Sequence, residues 1–275
     1  MKRETPHGNR PHHAGPAKFV VDRLGHTYTS QAGDPLPVIG NVHFSVKPFE
    51  FVALVGPSGC GKSTLLNIMS GLLKPQSGTV SLDGQTLHGI TPRIGYVSQS
   101  DSLLPWRTTL ANVELGMELR GVPKQERRER AMTLLRQADL SGFEKAYPYQ
   151  LSGGMRKRVD VIRILAMDPE IIFMDEPFAS LDVFTREMLQ TTILSLWQAT
   201  QRTVLFVTHD LTEAITLADR VIVLTQRPTT VKAEHVIALP RPRVPAELRF
   251  NPDFIELHKK IWHDLKDEVR NQERS

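Results

Sequence analysis

Apolar and polar positions alternate in short runs over the first part of the chain. "FVVDRL" from Phe19, "VHFSV" from Val42 and "EFVALV" from Glu50 read as strands. In "GTVSLDGQTL" from Gly78, Asp83-Gly84 between apolar segments predicts a two-residue hairpin. These runs suggest an antiparallel layer beside a parallel sheet. From about Asp101 to Met167 the apolar period lengthens to that of helices, in "ANVELGMELRG", "RRERAMTLLRQADL" and a long segment after Ser152, punctuated by Pro123, Gly142 and Pro148. Buried-strand runs then return, "IIFMD", "TVLFVTH" and "RVIVL", with the helical "REMLQTTILSLWQAT" between the first two. Strands alternating with helices predict a mostly parallel α/β sheet with a helical subdomain inserted in it. After "LPRPRVP", Phe254, Leu257, Ile261, Leu265 and Val269 recur at helical spacing, which predicts an amphipathic helix packed on its own domain, or else on a partner.

Composition narrows this only slightly. Hydrophobic residues are 40% and charged residues 23%, ordinary for a globular protein long enough to bury a large core. A net charge of +4 permits contact with nucleic acid or an anionic membrane face. The bases are interleaved with acids, however, as in "KQERRERAM", the pattern of a solvated helix face. The one cysteine, Cys60, cannot form an intramolecular disulfide and fits a reducing compartment. No run approaches the roughly 18 apolar residues of a membrane span, so work at a membrane would need a partner to hold the chain there. The opening "MKRETPHGNRPHHAGPAK" lacks a secretory apolar stretch and is expected to be a disordered tail, its histidines without ordered ligand spacing.

Chemistry enters at Gly56 to Thr64, "GPSGCGKST", which satisfies G-x-x-x-x-G-K-[ST] between a strand-like run and an apolar-periodic helix. The backbones of Gly56, Ser58, Gly59, Cys60 and Gly61 would turn N–H groups onto phosphate oxygens, helped by the helix N-terminus, with Pro57, which has no N–H, shaping the loop between them. Lys62 would reach the β- and γ-phosphates, Ser63 would coordinate Mg²⁺, and Thr64 completes the motif. Cys60 reads as a passive occupant, although a helix N-terminus could lower its pKa. "IIFMDEP" is an apolar strand ending in two acids, at the edge where open α/β sheets place ligands. Asp175 would hold the Mg²⁺ shell and Glu176 would polarise an attacking water.

Three further features narrow the reading: "LSGGM", a capped and glycine-rich helix start; Gln99 at a strand-to-helix boundary; and His209 ending a buried strand. In this order, from about Phe19 to Thr225, the residues resemble the ATP-binding cassette of ABC transporters. The resemblance implies a P-loop NTPase fold: a RecA-like core with an antiparallel β subdomain and an inserted α-helical subdomain. It divides the chain into a tail over 1–17, a nucleotide-binding domain over 18–245 with the helical part at about 100–160, and a C-terminal helix over 246–275. It makes Gly56 to Thr64 the Walker A loop, Gln99 the Q-loop glutamine near Mg²⁺, and Leu151, Ser152, Gly153, Gly154 and Met155 the signature. Asp175 and Glu176 become Walker B and the catalytic glutamate, Ser180 to Asp182 the D-loop, and His209 the switch histidine. Tyr28, or failing that Phe19, would stack on adenine.

The resemblance further implies ATP and Mg²⁺ as cofactors and a head-to-tail pair of cassettes, each ATP lying between Walker A of one and the signature of the other. Permease subunits would dock near Gln99 to Arg107, a substrate-binding protein would act indirectly, and no nucleic acid is expected. "LLPWRT", "GMRKRV", "MDEPFASLD" and "LPRPR" look like the nitrate/sulfonate/taurine group of bacterial importers, peripheral on the cytoplasmic face of the inner membrane. Too few residues follow His209 for the regulatory β-domain of sugar-importer cassettes. The chain departs from the group at three places. Lys157 stands where Gln is usual. Asp160 stands where a small apolar residue is usual, and is expected to be exposed. Phe49 replaces a turn glycine. A soluble cassette acting on nucleic acid or ribosomes is the alternative, though neither tandem cassettes nor a coiled-coil insertion is seen. A P-loop kinase would leave "LSGGM" and His209 without purpose.

Overall fold

The computed structural model describes residues 16–179 and 181–272, with side chains to residue 268. Most of the expected tail, Ser180 of the expected D-loop and the Val269 side chain lie outside the described residues. Strands β1 (Phe19–Thr29), β2 (Pro35–Val46) and β3 (Phe51–Val55) lead into α1 (Lys62–Met69), followed by β4 (Ser77–Leu82), β5 (Gln85–Thr86) and β6 (Ile94–Val97). The helical segment holds α2 (Thr109–Leu119), α3 (Lys124–Gln137) and α4 (Gly153–Ala166). Then come β7 (Ile171–Asp175), α5 (Val183–Thr200), β8 (Thr203–Thr208), α6 (Leu211–Leu217), β9 (Arg220–Leu224) and β10 (Val231–Val236). The chain closes on α7 (Pro245–Leu248) and α8 (Pro252–Gln272).

A six-stranded sheet runs in the order β10-β9-β3-β8-β7-β6, parallel except for the β10 edge, beside a four-stranded antiparallel sheet β2-β1-β4-β5. Asp83 and Gly84 both take positive φ between Leu82 and Gln85, as the expected hairpin requires. Strands β3, β7 and β8 are buried at every residue, because the central sheet is covered on both faces. Along β3, Phe51, Ala53 and Val55 face one core, shared with α2 to α6 and α8. Val52 and Leu54 face the other, closed by α1 and the antiparallel sheet. Because β3, β8 and β7 are parallel neighbours, the residues after Val55, Thr208 and Asp175 emerge at one edge of the sheet.

Asp160 is buried, contrary to expectation, at 1% exposure. Arg163 Nη2 lies 2.7 Å from its Oδ1, Ser102 donates to the same oxygen at 3.2 Å, and Lys157 Nζ is 3.7 Å from Oδ2. Burial still pushes the Asp160 carboxyl upward, opposed by Arg163 and Lys157. Lys157, itself lowered by burial, donates to the carbonyls of Ser98 and Gln99 (2.9 Å to the latter), and Arg163 donates to Ser102 O at 2.7 Å. The triad thus fastens residues 98–102 to α4. The loop beyond, Leu104 to Thr108, is held by the wholly buried Asn112, whose amide donates to the carbonyls of Leu104, Arg107 and Thr108 and accepts from Leu104 N. Trp106 projects from this loop, 72% exposed.

Phe49 has φ of 62°, the left-handed region natural to glycine, and its N–H donates to Thr203 Oγ1 at 2.9 Å. Near the end of the chain, buried Arg243 donates to the carbonyls of Ile215 (3.0 Å), Ala218 (2.5 Å) and Ile237 (3.1 Å), which closes the C-terminus of α6. Phe254, Ile261 and Leu265 of α8 join the same core as α6.

Candidate nucleotide site

Glycine makes the loop after β3 possible. Gly61 precedes α1 with φ of 113°, and a Cβ there would lie 2.7 Å from Val38 Cγ1. The chain therefore turns sharply enough to aim the α1 N-terminus, which no side chain caps, into a cavity of about 420 Å³. Ser58, Gly59, Gly61, Lys62, Ser63 and Thr64 line it on one side, Tyr28, Leu36 and Val38 on another, and Glu176 and Arg227 complete the wall. A polar, N–H-rich floor with an aromatic and aliphatic flank suits a nucleoside triphosphate, phosphates on the loop and base toward Tyr28.

Gly56, Pro57 and Cys60 stand behind the floor. Lys62 is 6% exposed and its ammonium donates to the carbonyls of Gly56 at 3.0 Å and Pro57 at 2.9 Å, which centres the charge in the loop. Cys60 is 2% exposed, and its thiol lies against Gly56, where an added Cβ would be 3.0 Å away. Burial raises the Cys60 pKa, so the helix N-terminus does not produce a reactive thiolate. The Thr229 hydroxyl donates to Cys60 O and seats the β9–β10 turn against the loop.

Asp175 ends β7, 8% exposed, its carboxyl raised by burial and by neighbouring Glu176 and lowered by hydrogen bonds from Ser63 and Tyr96. The Ser63 hydroxyl beside a buried carboxylate is a hard-oxygen donor set of the kind Mg²⁺ takes. Among the described residues no cluster of three His, Cys, Asp or Glu is placed to hold a metal. Glu176 has φ of 42°, a strained backbone for a glutamate, with its N–H on Val207 O at 2.9 Å. One carboxylate oxygen lies 3.9 Å from Lys62 Nζ; the other is 3.0 Å from Nδ1 of His209, which leaves the end of β8. The Glu176 carboxylate thus links the loop lysine to His209.

Other residues named from the sequence lie elsewhere. Gln99 is exposed in the bend after β6, well before the next helix, and does not line the cavity. None of Leu151 to Met155 lines it either. Ser152 caps α4 by accepting from Met155 N at 3.3 Å, and a Cβ on Gly154 would strike Thr185 Cγ2 at 2.3 Å, so Gly154 serves packing against the start of α5. Asp182 caps α5 by accepting from Thr185 N at 3.0 Å. Phe19 is wholly buried, edge-on to Phe173, and is no adenine platform; Tyr28, 40% exposed, lines the cavity. Sequence reasoning missed Leu36, Val38 and Arg227. Val38 reaches the loop only through strand pairing, and Arg227 only through the bridge between Ile39 and Thr229, contacts that no local motif signals.

Residues 39–179 match the family model described as ABC transporter. An uncharacterized ABC transporter ATP-binding protein of Methanocaldococcus jannaschii is 50% identical over 237 residues, 86% of this chain and 87% of that protein. The taurine import ATP-binding protein of Pseudomonas fluorescens is 38% identical over 266 residues, 94% of this chain and all of that protein. Among solved structures, a dimeric ATP-binding cassette in a post-hydrolysis state with ADP and phosphate aligns with TM-score 0.69 and 34% identity, covering 80% of this chain and 99% of that one.

Proposed function

Because the chain belongs to the ABC transporter family and is an ATPase, we propose that it powers uptake of taurine or a related sulfonate through membrane subunits. The observation that carries the reading is a nucleotide-sized cavity lined by Lys62 and Glu176, with the Glu176 carboxylate standing between Lys62 and His209. The substrate class rests on relatives named for taurine import, one of them 44% identical over 80% of this chain.

In this reading Gly56 to Thr64 bind the phosphates and Tyr28 stacks on the base. Ser63 and Asp175 would hold Mg²⁺, which supplies charge neutralisation of the phosphate oxygens; Gln99, off the cavity here, would join them only if its loop moved inward. Glu176 orients and polarises the attacking water, and His209, on the other oxygen of its carboxylate, fixes its rotamer and faces the γ-phosphate. Since Ser152 to Met155 lie off the cavity, a second copy placed head to tail would bring its signature and Asp182 to complete the site. Closure of the pair assembles the site and hydrolysis releases it. The loop from Gln99 to Arg107, braced by Asn112 and fastened to α4, is the natural seat for a permease subunit. Trp106 offers an exposed aromatic contact. A substrate-binding protein would act at the far side of that permease. Among the described residues no helix is long and apolar enough to cross a membrane, and in this reading the chain is held peripherally at the cytoplasmic face.

Uptake of labelled taurine, an alkanesulfonate and nitrate by cells lacking the chain, complemented with wild type or Glu176→Gln, tests this. Restoration of taurine or sulfonate uptake by wild type alone is expected. Restoration of nitrate instead, or of nothing, refutes the substrate class.

A further inference from the structure

Behind Glu176 and His209 lies a second, smaller cavity of about 30 Å³, lined by Glu176, Arg186, Thr208, His209, Asp210 and Glu213 among others. It has room for about one water. Glu213, from α6, is 4% exposed, an expensive place for a carboxyl that caps nothing and touches no substrate. Its contacts are ordered. The Thr208 hydroxyl donates to Glu213 Oε2 at 2.6 Å and accepts from Asp210 N at 3.0 Å. Arg186, from α5, lies with Nε 3.6 Å from Glu213 Oε1 and donates through Nη1 to Asp210 Oδ2 at 3.4 Å. Asp210 Oδ1 in turn accepts from Thr212 N at 2.7 Å and Glu213 N at 3.3 Å. Both chain neighbours of His209 are therefore pinned, and the histidine between them, 55% exposed at its side chain, is left facing Glu176.

We propose that Glu213 is a positioning residue for hydrolysis: through Thr208 and Arg186 it fixes the turn that holds His209 against Glu176. This rests on the roles given above to Glu176 and His209. The groups facing Glu213 are Thr208 and His209 at the end of β8, Asp210 ahead of its own helix, Arg186 on α5 and Glu176 after β7. Burial, and then the negative charges of Asp210 and Glu176, hold its pKa at about 7 against the pull of Thr208 and Arg186. The ionised form is the one that accepts the Thr208 proton. Protonation removes the charge that strengthens this bond and pairs with Arg186, so the pinned turn is favoured as pH rises.

The test is steady-state ATP hydrolysis by the full chain across pH, for wild type, Glu213→Gln, Thr208→Val, Glu176→Gln and His209→Ala. Glu213→Gln is expected to lower kcat at alkaline pH about tenfold, the scale of a small misplacement, with KM for ATP within about twofold. It should also abolish the rise in kcat centred near the Glu213 pKa. Thr208→Val, which cuts the link while leaving the carboxyl, should reproduce the selective loss of kcat and decides the matter if Glu213→Gln does not fold. Unchanged kcat, or a rise near neutrality that survives in Glu213→Gln, overturns the proposal. If Glu176→Gln and His209→Ala turn over like wild type, the catalytic reading itself fails; if they are impaired and Glu213→Gln is not, only this inference does.

Discussion

Replacing Asp160 by alanine removes the acid from a triad that keeps a buried lysine and a partly buried arginine. Asp160 and Lys157 are 1% and 4% exposed, and Arg163 sits 2.7 Å from the carboxylate. Deleting one partner of a buried ion pair costs about 3–5 kcal/mol, because the remaining charge is left without compensation. Lys157 and Arg163 keep their carbonyl acceptors at Gln99 and Ser102, which places the loss at the lower end, about 3 kcal/mol. For a domain of this size each kcal/mol is worth roughly 2–4 °C, so Tm should fall by about 6–12 °C. Thermal and urea unfolding of the full chain, run in parallel with the Lys157→Met/Asp160→Leu double variant, measure the Tm shift and the free energy. The double variant removes acid and buried lysine together and should recover most of the stability, since a packed apolar pair can match a buried ionic one. It should nonetheless loosen residues 98–99, which lose the Lys157 ammonium. A loss under about 1 kcal/mol for Asp160→Ala, or a double variant no more stable than the single, would refute the view that charge compensation holds this corner together.

Phe49→Gly should raise stability by about 0.5 kcal/mol, read by thermal unfolding, as relief of a left-handed φ outweighs the added chain entropy of glycine. Glu176→Gln should bind a fluorescent ATP analogue as wild type does while turnover drops roughly 10²- to 10⁴-fold, whereas Lys62→Ala should weaken the binding itself. The Glu213 carboxyl, raised from 4.5 to about 7 in the folded chain, keeps a proton there that the unfolded chain releases between those values. Wild-type stability should therefore fall as pH rises through that window, by up to about 3 kcal/mol, and level off above it, a trend absent in Glu213→Gln. A wild-type minus variant difference that does not change with pH would contradict it.

The phosphate loop, the acid pair after β7 and the Asp83-Gly84 hairpin were readable from the sequence because each is contiguous and its geometry follows from its own residues. The parallel sheet was readable because buried strands are apolar throughout. Asp160 was misread because its burial depends on Arg163 one turn away and on Ser102 across 58 positions, a compensation that spacing does not reveal. Strand β10 was passed over since "VKAEHV" is a half-exposed edge carrying Lys, Glu and His, with little apolar signal. Cys60 reads from the sequence as a passive occupant that a nearby helix start could still activate; the side chain turns behind the loop, and burial raises its pKa, so it stays passive.

That sealed thiol also makes the protein a convenient object for labelling. With its one native sulfhydryl packed behind Gly56 and held in the protonated form, wild type should give a nearly silent background toward maleimides under native conditions. A cysteine introduced at an open position such as Trp106 would then take up a dye alone, and opening and closing of paired cassettes could be followed by fluorescence without first removing Cys60 from the loop.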